Sequence, residues 1–219
     1  EIQVVRPDGQ AHWARLIGQA EGRAPMSARI TGTVQDITQR RQIEEALRSQ
    51  ARTDPLTGLY NRDGILTELE RRLDSQQLGT TVIYIDLDRF KLVNDLLGHA
   101  AGDHMLVNAA RRLEHCVGGA GLLARFGGDE FLVVTDANDD PAAADALAER
   151  ITRAFGDSFR YAGEEFTITT SVGVARHPEH GRTVQQLVNN ADAAMYEAKR
   201  RGRNTWQEFT PELARQQHD

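Results

Sequence analysis

Ala124-Arg125-Phe126-Gly127-Gly128-Asp129-Glu130-Phe131 is the stretch that decides how this 219-residue chain is read. Two glycines and two acids lie between the apolar runs Leu122-Leu123-Ala124 and Phe131-Leu132-Val133-Val134. The pattern predicts a β-hairpin with a glycine-built tight turn and carboxylates at its tip. Glycine there also lets a ligand approach the backbone, and the carboxylates suit a hard cation such as Mg²⁺. A Gly-Gly-Asp-Glu by itself is more often a plain turn with solvated acids. Its surroundings must decide.

The nearest help comes from Thr81-Val82-Ile83-Tyr84-Ile85, a continuous apolar and β-branched run of the kind buried on both faces. It ends in Asp86-Leu87-Asp88, after which Arg89 to Leu97 reads as a helix. An acid at the carboxyl end of a buried strand is a usual place for chemistry in α/β folds. Asp88 reads as an N-cap for the helix that follows. Asp86 has no such structural role. If this strand lies beside the hairpin, Asp86 and Asp129 converge as the paired carboxylates of metal-assisted phosphoryl chemistry.

The remaining chain alternates helix and strand. Helices are predicted at Asp63–Ser75, Arg89–Leu97, Asp103–Cys116, Pro141–Phe155 and Thr183–Arg201, the last opened by a Thr183-x-x-Gln186 capping box and closed near Gly202. Strands are predicted at Thr81–Asp86, Leu122–Phe126, Phe131–Thr135 and Phe166–Ala175. The alternation predicts an α/β fold, an α+β sandwich in which helices cover a sheet.

The first 37 residues read differently, as strands and turns. Arg6-Pro7-Asp8-Gly9-Gln10 is a turn signal, Gly22 to Pro25 a loop, and Ser27 to Thr38 a further strand. Three strands without a helix bury little core. Gln39 to Arg52 is a short amphipathic helix with Ile43, Ala46 and Leu47 on one stripe. So short a helix needs a partner. Two remain open: a second copy in a coiled coil, or its own domain.

Composition narrows the function classes. Lys and Arg total 26 against 32 Asp and Glu, a formal charge of −6, and the pI is about 5.7. An acidic chain without a basic tract argues against nucleic acid and against an anionic membrane surface. Cys116, the sole cysteine, permits neither an intrachain disulfide nor a Cys-based zinc site, and its helical setting suggests a buried thiol. No apolar stretch reaches transmembrane length, and Glu1-Ile2-Gln3-Val4-Val5 is no signal peptide. The missing initiator Met reads as a piece cut from a longer protein. The expected location is the cytoplasm, with any membrane anchor of the parent outside these residues.

Taken together, these motifs resemble a GGDEF domain, the diguanylate cyclase family. The resemblance runs from Asp54 to about Trp206. It rests on Asp54-Pro55-Leu56-Thr57-Gly58-Leu59-Tyr60-Asn61-Arg62, Asp86-Leu87-Asp88-Arg89-Phe90-Lys91, Asn94-Asp95, Gly98-His99, Gly102-Asp103 and the pentad Gly127 to Phe131. Ser171-Val172-Gly173-Val174-Ala175, Ala191-Asp192, Ala198-Lys199 and Gly202-Arg203-Asn204 complete it. Residues 1–37, ending in Asp36-Ile37-Thr38, resemble the C-terminal strands of a PAS sensor domain, and 38–53 a signalling helix. The implied organisation is thus PAS end, linker helix, GGDEF domain over 54–208, and the start of a C-terminal linker over 209–219. The implied fold is a central mixed sheet containing antiparallel pairs, like a nucleotide cyclase or polymerase palm.

The resemblance implies that two GTP molecules are joined into cyclic di-GMP with loss of two pyrophosphates, each 3′-hydroxyl attacking the other's α-phosphate. Such a reaction needs a homodimer and Mg²⁺, or Mn²⁺ in its place. Asp86, Asp129 and the Leu87 carbonyl match the family's metal ligands. Glu130 matches the second acid, with metal binding or proton acceptance as its role, and Asp129 is a rival for the proton. Lys91 matches a cation that stabilises transition-state charge. Lys199 and Arg203, four apart at a helix end, match the grip on the β- and γ-phosphates, and Gly127 and Gly128 match positions close to substrate. Asn94 and Asp103 match the guanine-reading pair, whose donors and acceptors suit that base edge. His99 matches a further substrate contact. Asp54 and Arg62 are expected to organise the junction with the linker, and Arg125 to be structural or interfacial.

One departure stands out. Many members carry Arg-x-x-Asp five residues before the pentad, as a product-binding inhibitory site. Here those positions read Gly118-Gly119-Ala120-Gly121. Two further readings compete with the cyclase. One is a GTP-sensing GGDEF module regulating a downstream EAL phosphodiesterase domain, suggested by the Phe209-Thr210-Pro211-Glu212-Leu213 tail. The other, an adenylyl-type cyclase, is disfavoured by the guanine-reading pair.

Overall fold

The computed structural model describes residues 2–5, 11–21, 29–40, 52–75, 79–136 and 141–216. They fall into two units, Glu1–Gln50 and Ala51–Asp219.

In the first unit, β1 (Ile2–Val5), β2 (Ala11–Glu21) and β3 (Arg29–Asp36) form an antiparallel meander in that order. The β2–β3 ladder continues past its last pair, because the Ile37 amide donates to the Trp13 carbonyl and the Trp13 amide to Thr38 Oγ1. Ala14 and Ile37 are buried while Ile17 and Val34 are 62% and 70% exposed, as a thin sheet predicts. Helical backbone starts at 38–40, and the rest of the expected linker helix, 41–51, lies outside the described residues.

The second unit runs α1 (Arg62–Asp74), β4 (Thr80–Leu87), α2 (Phe90–Leu97), α3 (His99–Val117), β5 (Gly121–Gly127), β6 (Glu130–Asp136) and α4 (Pro141–Ala154). Then follow β7 (Phe159–Tyr161), β8 (Glu164–Phe166), β9 (Thr170–Arg176), α5 (Val184–Arg200), β10 (Thr205–Glu208) and α6 (Pro211–Gln216). Five strands make one sheet in the order β10-β9-β4-β6-β5. All neighbours are antiparallel except β9 and β10. This is the mixed sheet flanked by helices that the alternation predicts.

The unbroken apolar run of β4 now has its cause. Ile83, Ile85 and Leu87 enter one core with Leu106, Leu113, Ile151 and Phe155, residues of α3, α4 and the turn after α4. Val82 and Tyr84 enter the other with Ile65, Leu69, Leu187 and Met195 of α1 and α5. A strand covered on both faces shows no polar alternation. Burying a side chain of this size is worth about 1.5–3 kcal/mol, so the two cores place the end of β4 firmly.

Several boundaries differ from expectation. α3 begins at His99, not Asp103, because Gly98 at φ 81° ends α2 and opens α3 without a spacer. The expected strand Phe166–Ala175 divides into the tail of the small β7–β8 hairpin and β9. Phe209 is buried and its amide donates to the Val174 carbonyl, so the expected linker over 209–219 starts inside the second unit. At α5 the Thr183 hydroxyl accepts from the Gln186 amide, as the capping box requires, but the Gln186 side chain accepts from the Arg182 amide instead. Cys116 is a buried free thiol. Among the described residues no helix is long and apolar enough to cross a membrane.

Candidate functional site

The hairpin β5–β6 lies against the carboxyl end of β4. Register places Asp86 opposite Glu130, and the Leu87 amide donates to the Asp129 carbonyl at 3.2 Å. Asp86, Leu87, Asp129 and Glu130 therefore meet at one corner of the sheet. Neither Gly127 nor Gly128 has a left-handed backbone, so the turn itself does not demand them, contrary to expectation. A Cβ on Gly128 would meet no atom of the chain within 4 Å. The glycines leave room beside the acids. Arg125 braces the turn: its Nε and Nη2 donate to the Gly128 carbonyl at 3.0 and 2.8 Å, and Nη1 lies 3.3 Å from Asp54. Burial pushes the Asp54 carboxyl up, but the Thr57 hydroxyl and amide and Arg125 outweigh it and hold its pKa below the usual value.

Asp86 is 7% exposed. Burial pushes its pKa up to about 6; Lys199 opposes this, while the charges of Asp129 and Asp88 add to it. Lys199 Nζ is 2.6 Å from Asp86 Oδ2. Glu130 is engaged by Tyr84, whose hydroxyl pKa is raised by burial, by the Glu130 and Asp192 charges and by its hydrogen bond to Glu130. Loss of water and the Glu130 charge push the Asp192 carboxyl up as well. A cavity of about 130 Å³ adjoins these groups, lined by Arg62, Tyr84, Phe126 and Asp192 among others. Arg62 stacks on Phe126 at 4.8 Å and lines this cavity; linker residues 41–51, whose junction it was expected to organise, lie outside the described residues.

The expected base-reading residues sit on α2 and α3. Asn94 packs so closely on Gly102 that a Cβ there would lie 2.0 Å from its Oδ1. That contact fixes the crossing of the two helices beside Asp103. Lys91, His99 and Asp103 are exposed.

Asp88 is not an N-cap. The residue preceding α2 is Arg89, at φ 60°, and no side chain caps that helix. The Asp88 carboxylate is buried and accepts from Thr169 Oγ1 at 2.6 Å and Ser171 Oγ at 2.7 Å. Arg203, expected beside Lys199, stands with its Nε 3.9 Å from Asp88 Oδ1. Two acids spaced by one residue thus face two cations from the end of α5.

Sequence reading missed Tyr84 and Asp192. The signals were present: Tyr84 is two residues before Asp86 and so shares its face of β4. Asp192 is seven residues before Lys199, two helical turns along one side of α5. Among the described residues no three His, Cys, Asp or Glu side chains converge as a ready metal cage. Asp86, Asp129 and the Leu87 carbonyl are hard oxygen donors with excess negative charge. They fit an ion such as Mg²⁺, which typically takes one or two carboxylates and completes its shell from phosphates and water.

Residues 51–205 match the family model described as the GGDEF domain of diguanylate cyclases. The chain is 42% identical over 184 residues to an uncharacterized signaling protein of Caulobacter vibrioides, covering 82% of this chain and 23% of that protein. It is 38% identical over 202 residues to the cyclic di-GMP phosphodiesterase PdeR of Escherichia coli, covering 91% of this chain and 30% of PdeR. The chain thus spans about a quarter of these curated relatives. The solved GGDEF domain of YfiN (TpbB) from Pseudomonas aeruginosa superposes with a TM-score of 0.72 at 36% identity, covering 76% of this chain and 99% of that one. A fold of this topology, carrying the pentad on a hairpin beside the acid end of β4 and matched along 51–205, places this chain in the GGDEF family.

Proposed function

We propose that this chain is an active diguanylate cyclase domain, condensing two GTP into cyclic di-GMP and two pyrophosphates. The observation that carries the reading is the meeting of Asp86 with Asp129 under a glycine turn, with Lys199 of α5 against Asp86 and Arg203 of the following turn near Asp88. Asp86, Asp129 and the Leu87 carbonyl would hold Mg²⁺ or Mn²⁺, with Glu130 as a further ligand or proton acceptor. Bound there, the metal supplies charge neutralisation for the triphosphate. Lys91, Lys199 and Arg203 bind the phosphates and stabilise the charge that develops on them. Asn94 and Asp103 hydrogen-bond the guanine edge, and His99 lines the nucleotide's path. Gly127 and Gly128 let the nucleotide lie close to the hairpin.

Each domain presents one such site and the product has two halves, so two copies must face each other. The meander of β1–β3 is read as the end of a PAS-type sensor and residues 38–53 as the helix that transmits its state. The location is read as cytoplasmic. The Arg-x-x-Asp inhibitory site is absent, and product inhibition at such a site with it.

Incubation with GTP and Mg²⁺, followed by chromatography, tests the reading: cyclic di-GMP and pyrophosphate are expected. GTP bound without turnover would instead favour a regulatory GGDEF module acting on a downstream EAL domain. The identity to a protein named a cyclic di-GMP phosphodiesterase, of which this chain covers 30%, supports that second reading.

A further inference from the structure

Asp88 lies two residues past Asp86, and its side chain is 2% exposed. A carboxylate so buried must be satisfied by donors. Its donors all come from distant segments: Ser171 Oγ to Oδ1, and Thr169 Oγ1 to Oδ2. The Asn204 amide also donates to Oδ2, at 3.2 Å. In return the Asp88 amide donates to the Thr169 carbonyl at 2.9 Å.

The bond from Asn204 has a consequence for the cation beside it. Arg203 and Asn204 have φ values of 65° and 49°, two successive left-handed residues that carry a Cβ. Such a pair persists where its surroundings hold it. One hold is local, the Arg203 amide donating to the Ala198 carbonyl at 3.1 Å. The other is the Asp88 carboxylate, on the segment that carries Asp86. Arg203 Nε itself stands 3.9 Å from Asp88 Oδ1.

We infer that Asp88 is a positioning residue for Arg203: its carboxylate locks the left-handed Arg203–Asn204 turn onto the end of β4, holding the phosphate-binding cation and Asp86 in one frame. The inference rests on the reading of this corner as a GTP site. It adds a role for Asp88 that neither metal binding nor helix capping supplies.

The test uses the whole chain, Mg²⁺ and 3′-deoxy-GTP, which binds but lacks the attacking hydroxyl. Calorimetry is run on Asp88→Asn, Arg203→Ala, the double variant, and Asp88→Asn combined with Asn204→Gly. Asp88→Asn should weaken nucleotide binding about tenfold, the size expected for a lost hydrogen bond to a charged group. In the Arg203→Ala background it should add less than about twofold, as for residues acting as one unit. Asn204→Gly should restore most of the loss, because glycine enters the left-handed region without help. Amide exchange at Asn204 should accelerate in Asp88→Asn. If Asp88→Asn does not fold, Thr169→Val removes a single donor, with a smaller loss of affinity and the same dependence on Arg203.

Independent, additive losses for Asp88 and Arg203 would overturn the inference, as would full affinity in Asp88→Asn or failure of Asn204→Gly to rescue. If the unaltered chain binds no nucleotide, the cyclase reading falls. Asn204 exchange then decides separately: protection unchanged in Asp88→Asn removes the lock.

Discussion

Lys199 Nζ stands 2.6 Å from Asp86 Oδ2, so the cation matched to substrate phosphate and the acid matched to metal hold each other directly. Lys199 lowers the Asp86 pKa, while Asp129 and Asp88 both act against ionisation there. Metal and nucleotide would take over the two halves of this pair.

Replacing the lysine exposes that balance. Lys199→Met should move the Asp86 pKa above its value of about 6, since burial and the two neighbouring acids remain. A carboxyl-carbon NMR titration reads the midpoint directly. A midpoint at or below 6 in the variant would mean that Lys199 contributes nothing to the charge state.

A second prediction follows from linkage. The Asp86 pKa is raised from 3.8 to about 6 by folding. The native state therefore holds the proton more tightly than the unfolded chain, and the Asp86 contribution to stability falls as pH rises from about 4 to about 6, then stays level. Asp86→Asn should remove this slope and stabilise the domain at pH 7 by roughly 1–3 kcal/mol, while abolishing metal-dependent synthesis. Urea melts at pH 4, 5, 6 and 7 distinguish this from a structural acid, whose replacement would destabilise at every pH.

Asp129→Asn isolates the chemistry from the fold. The contact that seats the turn is the Asp129 backbone carbonyl accepting from the Leu87 amide, and it survives the change. Synthesis should drop by about a hundredfold or more, the scale of losing one preorganised electrostatic group, with the melting midpoint within a degree or two. Full turnover in this variant would remove Asp129 from the site.

The glycines at the positions where Arg-x-x-Asp is expected have a steric side. Gly118 ends α3 at φ 56° and ψ −135°, a region closed to residues with a Cβ. A Cβ on Gly121 would lie 2.6 Å from the Val134 carbonyl oxygen. Grafting the motif through Gly118→Arg and Gly121→Asp should therefore destabilise the domain by about 2–5 kcal/mol, not install a product site. Chemical denaturation beside calorimetry with cyclic di-GMP checks both halves.

Synthesis by the chain should rise faster than linearly with its own concentration, because two half-sites must meet. A specific activity independent of concentration, in a sample shown by light scattering to be monomeric, would contradict the two-copy mechanism.

How much of this was legible beforehand depends on range along the chain. The pentad hairpin, the buried strand that ends in Asp86, and the helix that places Lys199 follow from local patterns of apolar and capping residues. Those patterns act over a few residues and mean the same in any fold, so the sequence determined them by itself. Asp88 shows the opposite case. Its local setting before a helix predicts a cap, yet its donors Thr169, Ser171 and Asn204 are 81, 83 and 116 residues away. The sheet order β10-β9-β4-β6-β5 is what brings them there. The Asp86 charge state, the Tyr84–Glu130–Asp192 cluster and the stack of Arg62 on Phe126 were decided in the same way. Burial and Coulomb interaction depend on distance through space, and only the packed tertiary structure sets that distance.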